Sequence, residues 1–227
     1  MRRFTSALFL IGLGLLIVAV YQQLGLQASS NIGQAINTVA ADQLGAANFV
    51  TAVVLGYRGL DTLVELTILF TAATAGALVL GTRRPSAKRD PDAGFILQTG
   101  ADLLFPLLLI VGLYIILHGH LTPGGGFQGG VILASAFFLP ILARPGSSID
   151  HHWVSFIEGL AGASFIYIGL LVMLDGKAFL APVAGNGVFG ELFSAGTLPL
   201  LYAAVGLKVG AELAGLLANL SDTEAVD

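Results

Sequence analysis

Apolar residues arrive in blocks along this chain, without the alternation of a half-buried strand or the one-sided spacing of a surface helix. Residues 4–21 form the first block, and blocks at 60–80, 101–117, 127–143, 153–174 and 197–217 follow. Each is near the roughly 20 residues that carry an α-helix across the hydrocarbon core of a bilayer. Inside lipid, backbone amides and carbonyls must bond within the chain, which leaves helices and closed barrels. Blocks of this length are too long for barrel strands, so the pattern predicts an all-α, polytopic membrane protein with about six transmembrane helices in a bundle. Between the first two blocks, residues 22–48 read as a polar stretch. The short patch at 49–55 cannot cross a membrane and is expected at the interface.

Composition agrees. Of 227 residues, 56% are hydrophobic and 11% charged, with a mean hydropathy of +0.87, whereas a soluble domain carries about 25% charge. Cysteine is absent, which removes disulfides, thiolate metal sites and cysteine nucleophiles. A net charge of -4 without a basic block offers no field for nucleic acid. Residues 81–93 hold Arg83, Arg84, Pro85, Lys88, Arg89, Asp90 and Pro91. This charged, proline-broken connector divides the chain into a two-span module, 1–93, and a four-span module, 94–227. With a cytoplasmic N-terminus, Arg2, Arg3, Arg83, Arg84, Lys88, Arg89 and Arg144 fall inside and only Arg58 and Lys177 outside, the bias expected of a membrane protein. Both termini are then cytoplasmic and the 118–126 and 175–196 loops external. Ala72 with Gly76, Gly159 with Ala163 and Gly206 with Gly210 have the four-residue spacing that lets helices approach closely.

Candidate chemistry is concentrated in three places. The first is the hinge between the third and fourth spans, His118-Gly119-His120-Leu121-Thr122-Pro123-Gly124-Gly125-Gly126-Phe127-Gln128-Gly129-Gly130. Its glycines permit backbone conformations closed to other residues, and Pro123 is expected to stop the preceding helix. Backbone groups of Gly124, Gly125 and Gly126, between Pro123 and Phe127, could face an ion or a neighbouring subunit, as a gate or docking surface; a tight turn would explain the same residues. His118 and His120 lack a third ligand for a metal, and their pKa range suits a proton-accepting mouth. His151 and His152, beside Trp153, are expected among lipid headgroups.

The second is Lys208, the one basic residue midway along a span. A lone ammonium there costs about 2.5–3.5 kcal/mol even on the lenient scale, so partners are required. Glu212 lies one turn on, and Glu158 is at a comparable depth in the preceding span. The trio can serve as a proton or ion relay, or as a structural ion pair locking two helices. The third is Asp61 with Glu65, four apart on one face, read either as a carboxylate station near the outer end of the second span or as an Arg58–Asp61 cap beside a lumen-facing glutamate. The 185–190 run has the spacing of a dinucleotide fingerprint but no strand context, and is discounted.

The hinge, together with the Leu192-Phe193-Ser194-Ala195-Gly196-Thr197-Leu198-Pro199-Leu200 stretch and Val205-Gly206-Leu207-Lys208-Val209, resembles the B subunit of multisubunit Mrp-type sodium/proton antiporters over residues 95–220. Pro123 and Phe127 match positions marked in that family. Residues 48–65, with Arg58-Gly59-Leu60-Asp61-Thr62 and Glu65, are similar to the small module at the C-terminal end of the Mrp A subunit, so the chain looks like a fusion of the two. The same modules occur in membrane-bound hydrogenases and related redox-driven complexes. The resemblance implies an accessory subunit of the prokaryotic cell membrane, not an enzyme by itself. Its partners would be the other subunits of an Mrp-type antiporter or related complex, and it would hold no cofactor beyond the transported Na+ or other monovalent cation and H+.

Overall fold

A computed structural model describes residues 10–12, 14–19, 21–22, 31–80, 93–144, 150–174, 176–177, 179–181 and 185–224. The connector and most of the flanks of the first apolar block lie outside these residues. The chain divides into two units, 1–39 and 40–227. In the first, α1 (Leu10–Ala19) is a short apolar helix whose large side chains, Leu15 and Leu16 among them, are exposed.

α2 (Asn31–Leu44) straddles the division. It lies in the stretch read as polar: the Ala, Gln, Ile and Leu content favours helix, and Ala40 and Leu44 are buried. Gly45 ends it in a left-handed conformation, φ 63°, with its N–H on the Ala41 carbonyl at 2.8 Å. After three residues the chain re-enters helix. Asn48 caps α3 (Phe49–Thr51) by accepting from the Val50 N–H at 3.1 Å. A π-helical turn, Ala52–Tyr57, continues it and runs through Arg58 into α4 (Gly59–Leu80). The 49–55 patch is therefore partly buried, with Thr51, Ala52 and Leu55 inside the fold.

The remaining helices are α5 (Gly94–Leu117), α6 (Gly126–Ala143), α7 (His151–Leu174) and α8 (Leu198–Glu224). Five helices, α4 to α8, are long and apolar enough to cross a membrane, and the broken pair Gly33–Leu44 and Phe49–Tyr57 would make a sixth. α8 is the central one. It contacts α4, α5, α6 and α7, and 56% of its spanning window is buried against 11% for α4. Large apolar side chains on the outer faces of α4, α5 and α7, such as Ile68, Leu103, Ile110, Phe156 and Tyr167, are exposed, as contact with lipid or with a neighbouring protein requires.

Two faces of α8 do different work. Val205, Gly206, Val209 and Gly210 meet α5 and α6: a Cβ on Gly126 would fall 2.6 Å from Val205 and 2.8 Å from the Tyr202 carbonyl, and one on Gly130 2.8 Å from Val209 and 2.9 Å from the Gly206 carbonyl. Gly206 and Gly210 thus provide the close approach their spacing suggests. Gly159 and Ala163 do not, being exposed, and nothing lies within 4 Å of a Cβ on Gly159. The opposite face of α8 carries Lys208, Glu212, Gly215 and Leu216 towards α4 and α7.

Candidate functional site

α5 ends at Leu117, before Pro123 is reached. The His118 N–H closes the last turn on the Tyr114 carbonyl at 2.9 Å, and Gly119 then backs onto Gly125, 2.8 Å from where its Cβ would stand. The helix stop is therefore a close backbone approach, and Pro123, exposed, comes five residues past the cap. Gly124 and Gly125 adopt φ of 155° and 137°, a region essentially reserved for glycine. A Cβ on Gly125 would also meet the Tyr202 ring at 2.6 Å. Phe127 is half-buried in the first turn of α6.

This hinge is tied down by residues far away in sequence. The Asn48 side-chain amide donates to the carbonyls of Gly119, 2.8 Å, and Thr122, 2.9 Å. Its backbone N–H donates to the His120 carbonyl at 2.9 Å. The Thr51 hydroxyl donates to the Gly119 carbonyl at 2.5 Å and accepts from the Tyr202 hydroxyl at 2.7 Å. The chain break before α3 thereby clamps the hinge to α8, satisfying carbonyls that the tight turn leaves without helical partners.

The two hinge histidines differ. His118 stacks on Tyr114, ring centroids 4.1 Å apart, and is partly open. His120 is fully buried, and neither ring nitrogen reaches a hydrogen-bond partner. Burial pushes its pKa below the ordinary histidine value, a shift that the nearby backbone of Glu191 and Leu192 partly offsets and His118 slightly reinforces. An enclosed imidazole does not suit an open proton-accepting mouth. Among the described residues no group of three or more His, Cys, Asp or Glu side chains is placed to hold a metal ion.

Asp61 and Glu65 are both exposed on α4. Asp61 pairs with Arg58, Nε to Oδ2 2.6 Å, a surface contact worth about 0–1 kcal/mol. This is the cap arrangement. Neither carboxylate is brought to the buried charges.

Those buried charges lie between α8, α7 and α4. Lys208 Nζ is 3.1 Å from Glu212 Oε2 and 3.4 Å from Glu158 Oε1, with side-chain exposures of 10%, 2% and 19% respectively. The shorter contact is an ordinary charge-assisted hydrogen bond and the longer one is loose. Nζ also sits 5.0 Å from the centre of the Phe70 ring, a cation–π distance. Gly162 on α7 makes room for the lysine stem, which passes 3.4 Å from where a Cβ would be. The trio separates two cavities. One, of about 160 Å³, is mostly apolar and bounded by Leu63, Leu66, Thr67, Phe70, Gly162, Ile166 and Lys208. The other, of about 150 Å³, is lined by Glu158 and Glu212 with Thr74, His151, Ser155 and Asn219. The four polar side chains of the second cavity escape sequence reading. His151 reads there as a headgroup contact, and the others are single polar residues in helices with nothing to mark them.

A helical bundle with a lysine held between two glutamates in its middle defines a class of integral membrane protein that carries ionisable groups within its spans. The chain belongs to the MnhB-related family: residues 96–215 match the domain described as related to the MnhB subunit of Na+/H+ antiporter. It is 32% identical to an uncharacterized protein of Methanocaldococcus jannaschii over 83% of this chain and 81% of that one. It is 34% identical to the B subunit of a Na+/H+ antiporter from Bacillus subtilis over 43% of this chain and 61% of the relative. Among solved structures, the membrane-bound sulfane sulfur reductase, an archaeal respiratory membrane complex, contains a chain with 38% identity and a TM-score of 0.77, covering 93% of this chain and 97% of that one. The Mrp complex from Dietzia sp. contains a longer chain, 26% of which aligns with all of this one at 27% identity and a TM-score of 0.78. The protein is thus a membrane subunit related both to antiporter B subunits and to respiratory-complex subunits.

Proposed function

We propose that the chain is an accessory subunit of a multisubunit cation/proton antiporter complex, in which Glu158, Lys208 and Glu212 form a station on an ion path completed at a subunit interface. The observation that carries this reading is the buried trio set between two cavities. A structural ion pair needs no such space on either side, and ionisable groups inside a membrane mark ion and proton routes by default. Asp61 and Glu65, exposed on α4, would act at the boundary with a partner subunit, and the clamped hinge around Pro123 and Phe127 would be a docking surface there. A second reading is favoured by the near-complete alignment with a respiratory-complex chain: the same station would then serve the membrane arm of a redox-driven complex. The two differ in drive. In vesicles holding the whole complex, an antiporter moves cations on an imposed proton gradient alone, whereas a redox-driven arm needs an electron donor. Transport under neither condition would remove both readings.

The positive-inside bias supports an external 175–196 loop and a cytoplasmic 81–93 connector. In this cysteine-free chain, Glu191→Cys should react with an impermeant thiol reagent applied to intact cells and Lys88→Cys should not. The reverse pattern would invert the topology.

A further inference from the structure

We infer that His120 is the latch of a pH-sensitive cover: the 186–196 loop closes over the hinge while this imidazole is neutral, and lifts from it once the ring takes up a proton. None of the residues involved belongs to the Lys208 trio, so the latch is independent of the ion path.

His120 has nowhere to place its polar atoms. The residue is 0% exposed, and neither Nδ1 nor Nε2 has a hydrogen-bond partner. The backbone of Glu191 and Leu192 approaches the ring from the loop, but the Glu191 carbonyl already accepts from the Ser194 N–H at 3.0 Å. The Ser194 hydroxyl is likewise buried without a partner. Hinge and loop thus each bury one polar side chain unpaired, which makes the closed arrangement costly to hold.

Charge decides which state takes the proton. An imidazolium here would be a desolvated cation. His118 on the hinge repels it, and no carboxylate compensates: Asp42 of α2 and Glu191 of the loop, the acidic residues on the elements packed here, are exposed. Tyr202 of α8 reaches the hinge with its ring, and its hydroxyl is engaged by Thr51. Burial accordingly keeps the pKa of His120 below the ordinary value, and a lifted loop would return the ring to water and to about 6.5. Closure is therefore fully favoured above pH about 6.5, weakens as the pH falls through that value, and levels off beneath the lowered one.

The loop is held lightly enough for one proton to matter. The Asn186 side-chain amide donates to the carbonyls of Gln43, 2.8 Å, and Asp42, 3.3 Å, and Gly45 lies against Asn186 with no room for a side chain. The base of the loop is closed by the Ala195 N–H on the Asn186 carbonyl at 2.9 Å. Val188, Phe189 and Phe193 are exposed, so their burial does not resist opening. Ala195 is held at φ 64°, a left-handed conformation that strains an alanine and that lifting would relax.

The test is hydrogen–deuterium exchange of the purified complex at pH about 7.5 and about 5.5, one unit either side of an ordinary histidine. Labelling times are scaled to the intrinsic exchange of amides at each pH. A proton taken up by a group with an open-state pKa near 6.5 favours opening by up to about tenfold over this interval. Peptides covering 186–196 and 118–122 should lose protection several-fold in acid, while those in the centres of α6 and α8 hold theirs. In His120→Gln, which keeps a polar side chain that does not titrate, protection should be the same at both pH values. Unchanged wild-type protection, or acid opening that persists in His120→Gln, would overturn the latch. Should the glutamine variant fail to assemble, Ser194→Cys in the otherwise unaltered chain decides. Its rate of thiol labelling relative to that of Glu191→Cys should rise several-fold across the same fall in pH, and a constant ratio would overturn the latch.

Discussion

Replacing Lys208 by alanine should abolish ion-coupled transport and also weaken the protein. Without the ammonium, Glu158 and Glu212 face each other across the cavity with two negative charges and nothing between them. Removing one member of a buried ion pair costs about 3–5 kcal/mol, because the orphaned charge remains desolvated. That penalty is avoided if a carboxylate takes up a proton, so Lys208→Ala should fold best in acid, and Lys208→Ala with Glu212→Gln should recover assembly. Neither should recover transport. Lys208→Arg separates charge from proton exchange, since guanidinium stays protonated at any accessible pH. It should assemble and transport poorly. The measurement is cation-driven proton movement in everted vesicles, normalised to the amount of assembled complex on a native gel. Wild-type rates in Lys208→Arg would exclude proton exchange at this residue, and equal loss of assembly and transport in every variant would reduce the trio to a structural pair.

The five long spans and the trio were readable in the sequence for a physical reason. A lipid-facing helix is apolar over its whole circumference, so its length shows in composition alone, and α4, α6 and α7 begin and end within two residues of their apolar blocks. Lys208 and Glu212 are one turn apart on one helix, and Glu158 follows from depth. Long-range polar contacts leave no comparable trace. Asn48 and Thr51 look like loop residues until the fold brings them to Gly119 and Thr122, and the Tyr202 hydroxyl reaches Thr51 across 151 positions. Spacing misled at Gly159 and Ala163, because a four-residue repeat identifies a helical stripe without saying what it faces. Proline misled at the hinge for a related reason: α5 stops where Gly119 meets Gly125, a contact that depends on where α6 returns.

Gly130→Leu should cause a large loss of folded protein. At this crossing α6 and α8 touch backbone to side chain: a Cβ on Gly130 would lie 2.8 Å from Val209 Cβ and 2.9 Å from the Gly206 carbonyl oxygen. Neither neighbour is the flexible end of a long side chain. One is a β-branched residue restricted at χ1 and the other is helix backbone, so α6 must move away from the helix around which the bundle is built. Overpacking costs typically about 1–3 kcal/mol, and a full leucine at a backbone contact should exceed that range. Helix propensity cannot offset it, since leucine over glycine gains at most about 1 kcal/mol. Gly159→Leu is the matched control on α7, where nothing lies within 4 Å of the added Cβ. Expressed with its partner subunits and extracted in mild detergent, Gly130→Leu should be recovered at a small fraction of the wild-type yield and melt well below it, while Gly159→Leu should equal or exceed wild type. Equal recovery of the two variants would mean that the α6–α8 contact is not what holds the hinge and the Lys208 face on a common helix.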